Sequence, residues 1–278
     1  MTVWEPKMQP CHFKNRTLLI TRPQPEADST ARQVLACQGI PLLAPALTIL
    51  PPQEAGPLHQ ALARQKEYRG ILVTSVNGAK AIVSAMPADA DPPPFFAVGA
   101  KTAAILTKQG WSVHLPAIRA GGEALAAAVV QWAATNPPAR GKRDSNTFLF
   151  PQAEQGREEL ITEMQRAGYQ VEKVVAYRAE PITRLAPETE QALAAGRVDA
   201  VLFFSGRSAQ AFVAALPPDG KEWLAQTCIA VISPVTATVV EQLGYKVSVI
   251  ATEPDSNGLL TALHRYWHPS AANTGLER

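Results

Sequence analysis

Hydroxyl-bearing residues recur in this chain at matched places. Ser75 follows the apolar run 71–74 and precedes a helical pattern; Ser205 follows the run 200–204 and does the same. Their offset is the one that separates Leu19 from Leu149. Thr102 and Thr236 form a second pair, each in the first turn of an expected helix, and Ser233 stands just before Pro234, where a serine caps well. A strand end followed by a helix N-terminus gathers unpaired backbone N–H groups and the positive end of the helix dipole, a setting that favours anions. Arg22 and Arg207 fall at the same edges and add full positive charge. The chemistry these residues suit is the binding of carboxylates through many modest contacts. Each hydroxyl serves equally well as an ordinary helix cap, and residue type alone leaves both roles open.

Tyr177 differs in kind. A phenol stays protonated at neutral pH and can act as a proton donor; it can also simply brace an extended segment. The stronger catalytic signatures are missing from the sequence. It holds no Ser/His/Asp order, no glycine-rich phosphate loop and no metal-spaced cluster. The five histidines (His12, His59, His114, His264 and His268) are scattered, and the helically spaced pair His264 and His268 has no third ligand. The expectation is a protein that needs neither metal nor cofactor.

The elements that position these residues come in two copies. The stretch TLLITRPQPEADSTARQVLACQG from Thr17 parallels TFLFPQAEQGREELITEMQRAG from Thr147, and GILVTSVNGAKAIVSAM from Gly70 parallels DAVLFFSGRSAQAFVAAL from Asp199. FFAVGAKTAAILTKQGWSV then matches CIAVISPVTATVVEQLGYKV, and GGEALAAAVVQW matches SNGLLTALHRYW. Apolar runs alternate with helical patterns, and continuous apolar runs mean strands buried on both faces of parallel sheets. Eight strands read clearly, at 18–21, 71–74, 95–98, 113–115, 148–150, 200–204, 229–232 and 247–250. The first helix should bury Ala27, Ala31, Val34 and Leu35, and its counterpart Leu160, Met164 and Ala167, with Gly39 and Gly168 as C′ residues. GIPLLAPALTIL from Gly39 and GYQVEKVVAYRAE from Gly168 interrupt the alternation as extended segments. They read as paired crossings between two lobes, with a plain tandem of domains as the rival arrangement.

Bulk properties exclude other classes. At 278 residues, 46% hydrophobic and 18% charged, the chain is long and apolar enough for two cores. A net charge of +2, without a Lys/Arg run, gives no nucleic-acid footprint. No apolar run reaches the ~20 residues that span a bilayer, and the first fifteen residues lack the apolar core of a secretory signal. Cys11, Cys37 and Cys228 are scattered and odd in number, which argues against a disulfide framework and for a reducing, cytoplasmic setting.

Several phrases together resemble the uroporphyrinogen-III synthase family. They are Leu18-Leu19-Ile20-Thr21-Arg22-Pro23, Val73-Thr74-Ser75, Phe203-Phe204-Ser205 and Ala97-Val98-Gly99 with Thr102-Ala103, then Val231-Ile232-Ser233-Pro234 with Thr236-Ala237, and finally Val174-Val175-Ala176-Tyr177-Arg178. The resemblance spans residues 16–268 and departs from the family at Ser233, where Gly more often precedes Pro. It implies an α/β fold of two flavodoxin-like lobes with parallel sheets, joined by a two-stranded β-ladder, with the active site in a cleft. Lobe one would be 16–39 plus 179–268, lobe two 50–169, and the ladder 40–49 with 170–178. Residues 1–15 would be an N-terminal extension and 269–278 a C-terminal tail.

The resemblance also implies a cofactor-independent hydro-lyase acting on hydroxymethylbilane, a chain of four pyrroles carrying eight carboxylates. Tyr177 matches the family tyrosine proposed as the acid; Arg22, Ser75, Thr102, Ser205, Arg207, Ser233 and Thr236 would bind substrate. It further implies a monomer, transient contact with the preceding pathway enzyme, and no nucleic-acid or membrane partner. A non-catalytic bilobal protein that closes on a small anion is the alternative from another class.

Overall fold

A computed structural model describes residues 11–116, 121–137, 146–156 and 158–269. Among them eleven strands follow in chain order: β1 (Thr17–Ile20), β2 (Ile40–Leu43), β3 (Leu47–Leu50), β4 (Gly70–Val73), β5 (Phe95–Ala97), β6 (Val113–His114), β7 (Thr147–Ala153), β8 (Gln170–Pro181), β9 (Ala200–Phe203), β10 (Cys228–Val231) and β11 (Val249–Ile250). The chain divides between Thr48 and Ile49 and again between Ala179 and Glu180, so the first unit joins the two ends of the sequence and the second is its middle.

In the first unit five parallel strands run in the order β11-β10-β9-β1-β2. Successive side chains along each strand go to opposite faces, and both faces are apolar. Leu19, Val201, Phe203, Ile229 and Val231 enter one core. Leu18, Ile20, Ala200, Leu202 and Ala230 enter the other. Burying an aliphatic side chain of this kind stabilises by roughly 1.5–3 kcal/mol, which is why the strand runs carry no polar alternation.

The second unit repeats the plan. Its sheet has the order β3-β8-β7-β4-β5-β6, and β8-β7-β4-β5-β6 pair in parallel. Ile71, Val73, Phe95 and Leu149 line one face; Leu72, Phe96, Phe148 and Phe150 line the other.

All eight expected strands are present; several other expectations need correction. Of the crossing segments 40–49 and 170–178, β3 and β8 are hydrogen-bonded neighbours, and each segment also continues into a sheet. Residues 40–43 pair with β1 as the edge strand of the first sheet, and β8 pairs with β7 while β3 lies at its other side. A sheet edge offers a row of unpaired backbone groups, and an extended segment nearby satisfies them by joining the sheet. The helix Glu26–Ala36 buries Ala27, Thr30 and Val34, while Leu35 is 58% exposed. The helix Glu159–Arg166 buries Leu160, Ile161 and Met164, and Ala167 lies exposed beyond it.

Gly168 has the left-handed φ of +85° expected of a C′ residue, but at the first helix Gln38 takes that role with φ 54°. Gly39 is needed instead for close approach, since a Cβ there would meet Val34 at 2.9 Å and Phe13 at 3.1 Å. That contact belongs to a segment expected to lie outside the fold. Phe13 is fully buried in the first unit, and its N–H donates to the Cys37 carbonyl at 2.7 Å. Cys11 and Cys37 are joined as a disulfide, against the expectation from cysteine count, because residues 11–16 fold back along the end of the first helix. Cysteine usage therefore does not indicate the compartment. Residues 1–10 and 270–278 of the two expected tails lie outside the described residues. Among the described residues no helix is long and apolar enough to cross a membrane.

Candidate active site

In an open parallel sheet the crevice for a ligand lies beyond the strand C-termini, where successive connections change direction. In the second unit β4, β5 and β6 extend to one side and β7 and β8 to the other, so the change falls between β4 and β7. A cavity of about 520 Å³ opens there, lined by Thr74 after β4, Val98 after β5, Phe150 and Gln152 on β7, Tyr177 on β8, and Gly122.

Tyr177 reaches this place because β8 slips register between Gln152 and Ala153 of its partner, so Ala153 faces Tyr177. The irregularity re-aims a side chain at the end of a ladder. The Tyr177 hydroxyl donates to Ser75 Oγ at 3.1 Å. Ser75 is the N-cap of the helix Val76–Ala85 and accepts from the Gly78 N–H at 2.9 Å. With both bonds accepted, the Ser75 O–H proton is left to donate onward. Sequence reasoning named both residues; the structure brings them together. Thr102 sits in the first turn of the helix Ala100–Thr107, only 5% exposed, behind the N-cap Gly99.

The first unit changes direction between β1 and β9. Arg22 follows β1, stacks its guanidinium 4.5 Å from the Phe204 ring centroid and donates from Nη1 to Ser256 Oγ at 3.0 Å. Its Nε is buried and has no partner among the described residues. Burial pulls the pKa of this guanidinium below its ordinary value, with the Glu26 carboxylate acting in the opposite sense. No carboxylate among the described residues lies within ion-pair distance of Arg22, so a buried-side donor and a charge remain for an anion.

Ser205 caps the helix Gly206–Ala214, accepting from the Ser208 N–H at 3.1 Å, and Arg207 is half-buried in its first turn. Ser233 caps the helix Pro234–Gln242, accepting from the Thr236 N–H at 3.3 Å, with Oγ 3.1 Å from Thr236 Oγ1. Its φ of −162° is extended backbone, so a serine in place of the usual glycine is unstrained there. Thr236, like Thr102, is nearly buried at 3% exposure. The three serines thus spend one lone pair each on their own helices, and the two threonines face inward from the turns that carry the N–H groups.

Sequence reasoning passed over Gln152, which is 4% exposed and has a buried Nε2 without a partner among the described residues. The repeat held the signal: Gln152 stands three residues after Leu149 as Arg22 stands three after Leu19.

The chain is thus a two-unit parallel α/β protein whose strand ends carry hydroxyl, amide and guanidinium donors. A family model described as "Uroporphyrinogen-III synthase HemD" matches residues 28–261. A Synechococcus elongatus protein called uroporphyrinogen-III synthase is 28% identical over 262 residues, covering 90% of this chain and 95% of that one. The fold is shared with a mutant uroporphyrinogen III synthase from Thermus thermophilus (TM-score 0.56, 17% identity, 92% of this chain and 100% of that chain). It is shared too with uroporphyrinogen-III synthetase from Helicobacter pylori (TM-score 0.56, 16% identity, 89% and 98%). The chain belongs to the uroporphyrinogen-III synthase family.

Proposed function

We infer that the chain carries out the reaction of its family, the closure of hydroxymethylbilane to uroporphyrinogen III with loss of water, a hydro-lyase step. The family match over residues 28–261 carries this reading. It favours the enzyme over a non-catalytic anion binder. In the reaction the hydroxymethyl C–O bond breaks and the hydroxyl leaves with a proton as water. The resulting azafulvene is attacked by the substituted carbon of the last pyrrole. The spiro intermediate then fragments and recloses with that ring inverted.

Tyr177 supplies the proton to the departing hydroxyl, directly or by relay through Ser75; the observation behind this role is their 3.1 Å bond at the wall of the cavity. Arg22, Ser205, Arg207 and Ser233 bind substrate carboxylates with the N–H groups of the helices they start. Ser75 does the same in the second unit. Thr102 and Thr236 complete this substrate-binding set from the first turns of their helices. Most of the rate gain is positioning, for which no covalent intermediate is needed. The substrate closes to the wrong isomer when left in water, so the protein works where it is made, in the cytoplasm, in transient contact with the enzyme that releases it. All the proposed residues belong to one chain, so a monomer suffices.

Incubating the purified protein with freshly generated hydroxymethylbilane and scoring the isomers tests the activity. Type III product supports it, and spontaneous type I alone overturns it. No group of three metal-ligating side chains converges among the described residues. Exhaustive chelation and dialysis are therefore expected to leave type III formation unchanged; loss of activity restored by a metal or a nucleotide would contradict this.

A further inference from the structure

The two units carry equivalent donors at equivalent places, and the equivalents differ in charge. Arg22 and Gln152 occupy the same position of the repeat, just past the strand beside the change of direction. In the first unit Arg22 has a local partner, the hydroxyl of Ser256 at the start of the helix Ser256–Trp267. The repeat puts Gly121 where Ser256 stands, so the hydroxyl that partners Arg22 has no counterpart at that position of the second unit. Gln152 Nε2 is left buried and unpartnered among the described residues. The amide lies close against Gly156, where a Cβ would collide with Gln152 Oε1. Buried polar groups without partners are rare and destabilising, and one held at a cavity wall calls for an acceptor from a ligand.

The cavity decides which acceptor. Besides Gln152 and Tyr177 its polar lining includes Glu123 and Glu159, both exposed, and no Lys or Arg among the described residues. Two carboxylates at this wall disfavour a third, whereas an uncharged oxygen meets no repulsion. Hydroxymethylbilane offers carboxylates and a single hydroxyl. Building on the activity inferred above, we propose that Gln152 donates from Nε2 to the hydroxyl oxygen of the hydroxymethyl-bearing pyrrole, holding the scissile C–O bond in the cavity that Tyr177 also lines. The first unit, with Arg22 at the matching place, takes carboxylate. The duplicated sheet edge has thereby been divided into a charged subsite for the acid side chains and a neutral one for the leaving group.

Gln152→Leu removes the donor and the orphaned amide together; Gln152→Glu keeps the shape and removes the donor. Three quantities separate the accounts: kcat/KM on fresh hydroxymethylbilane, the inhibition constant of a bilane carrying methyl in place of hydroxymethyl, and the melting temperature. The expected result is a fall in kcat/KM of roughly 3–10-fold, the worth of one hydrogen bond. The inhibition constant of the methylbilane should not change, because it lacks the oxygen, and Gln152→Leu should melt at the same temperature or higher. A methylbilane constant that rises as much as kcat/KM falls would overturn the proposal, as would a melting temperature that drops in step or an unchanged kcat/KM. If the wild type forms no type III isomer, the inferred activity fails and this proposal with it. If the wild type does and both variants match it, only this proposal fails.

Discussion

Tyr177→Phe is expected to lower kcat by about 10²-fold while leaving type III the main product. The substitution keeps the ring that packs beside Val174 and Ala176 and removes the hydroxyl that donates to Ser75. General acid assistance is typically worth ~10²–10⁴-fold, and the lower end is expected because Ser75 retains a proton to donate when the phenol is gone. Isomer choice is a matter of how the chain of pyrroles is held, not of how fast the hydroxyl departs, so the two readouts should separate. Stability should fall by only ~0.5–1.5 kcal/mol, the net value of one neutral hydrogen bond. A variant with wild-type kcat would remove Tyr177 from the chemistry. A variant that is slow only because it is unfolded at the assay temperature would make the tyrosine a brace of β8.

Arg22→Met should raise KM and lower kcat/KM by roughly 10–100-fold, since a hydrogen bond to a charged group contributes about 1.5–3 kcal/mol. Methionine preserves the length of the side chain and its contact with Phe204. The guanidinium is partly desolvated, and its protein partners are the Ser256 and Thr30 hydroxyls and an aromatic face, not a carboxylate. Removing a poorly compensated buried charge is often neutral or stabilising. The melting temperature is therefore expected to hold or rise while activity drops. Loss of both together would recast Arg22 as a strut between β1 and the helix Ser256–Trp267, with no direct part in binding.

The strands were legible because a parallel sheet covered on both faces leaves no polar alternation. Leu18 to Ile20, Ile71 to Val73 and Val201 to Phe203 read as continuous apolar runs, and all are fully buried. The repeat then located the strand ends, and the serines before helices at 75, 205 and 233 proved to be caps. Details that depend on one turn did not show. Gln38 accepts a left-handed backbone one residue before the glycine that pattern alone favours, because Gly39 is needed where Phe13 packs. Phe13 and Cys11 looked like tail because the partners that hold them, Cys37 and Gly39, lie a helix away in sequence.

The site was legible in part for the same reason. Residue type and strand position pointed to Arg22, Ser75 and Tyr177, and the bond between the last two needed a register slip on β8 that no local pattern announces. Thr102 and Thr236 read as first-turn hydroxyls suited to binding or capping; that both are buried did not show, because burial depends on what packs over the turn. Gln152 was invisible as a single glutamine on an apolar strand. It stands out only when the missing hydroxyl at Gly121 and the close approach at Gly156 are placed around it.

The most direct measurement of the central claim is the isomer composition of the product formed from fresh hydroxymethylbilane by the metal-stripped protein. The account predicts uroporphyrinogen III in large excess over the type I isomer that arises spontaneously, with the excess growing in proportion to protein concentration. Type I product alone, formed at the rate seen without protein, would contradict it.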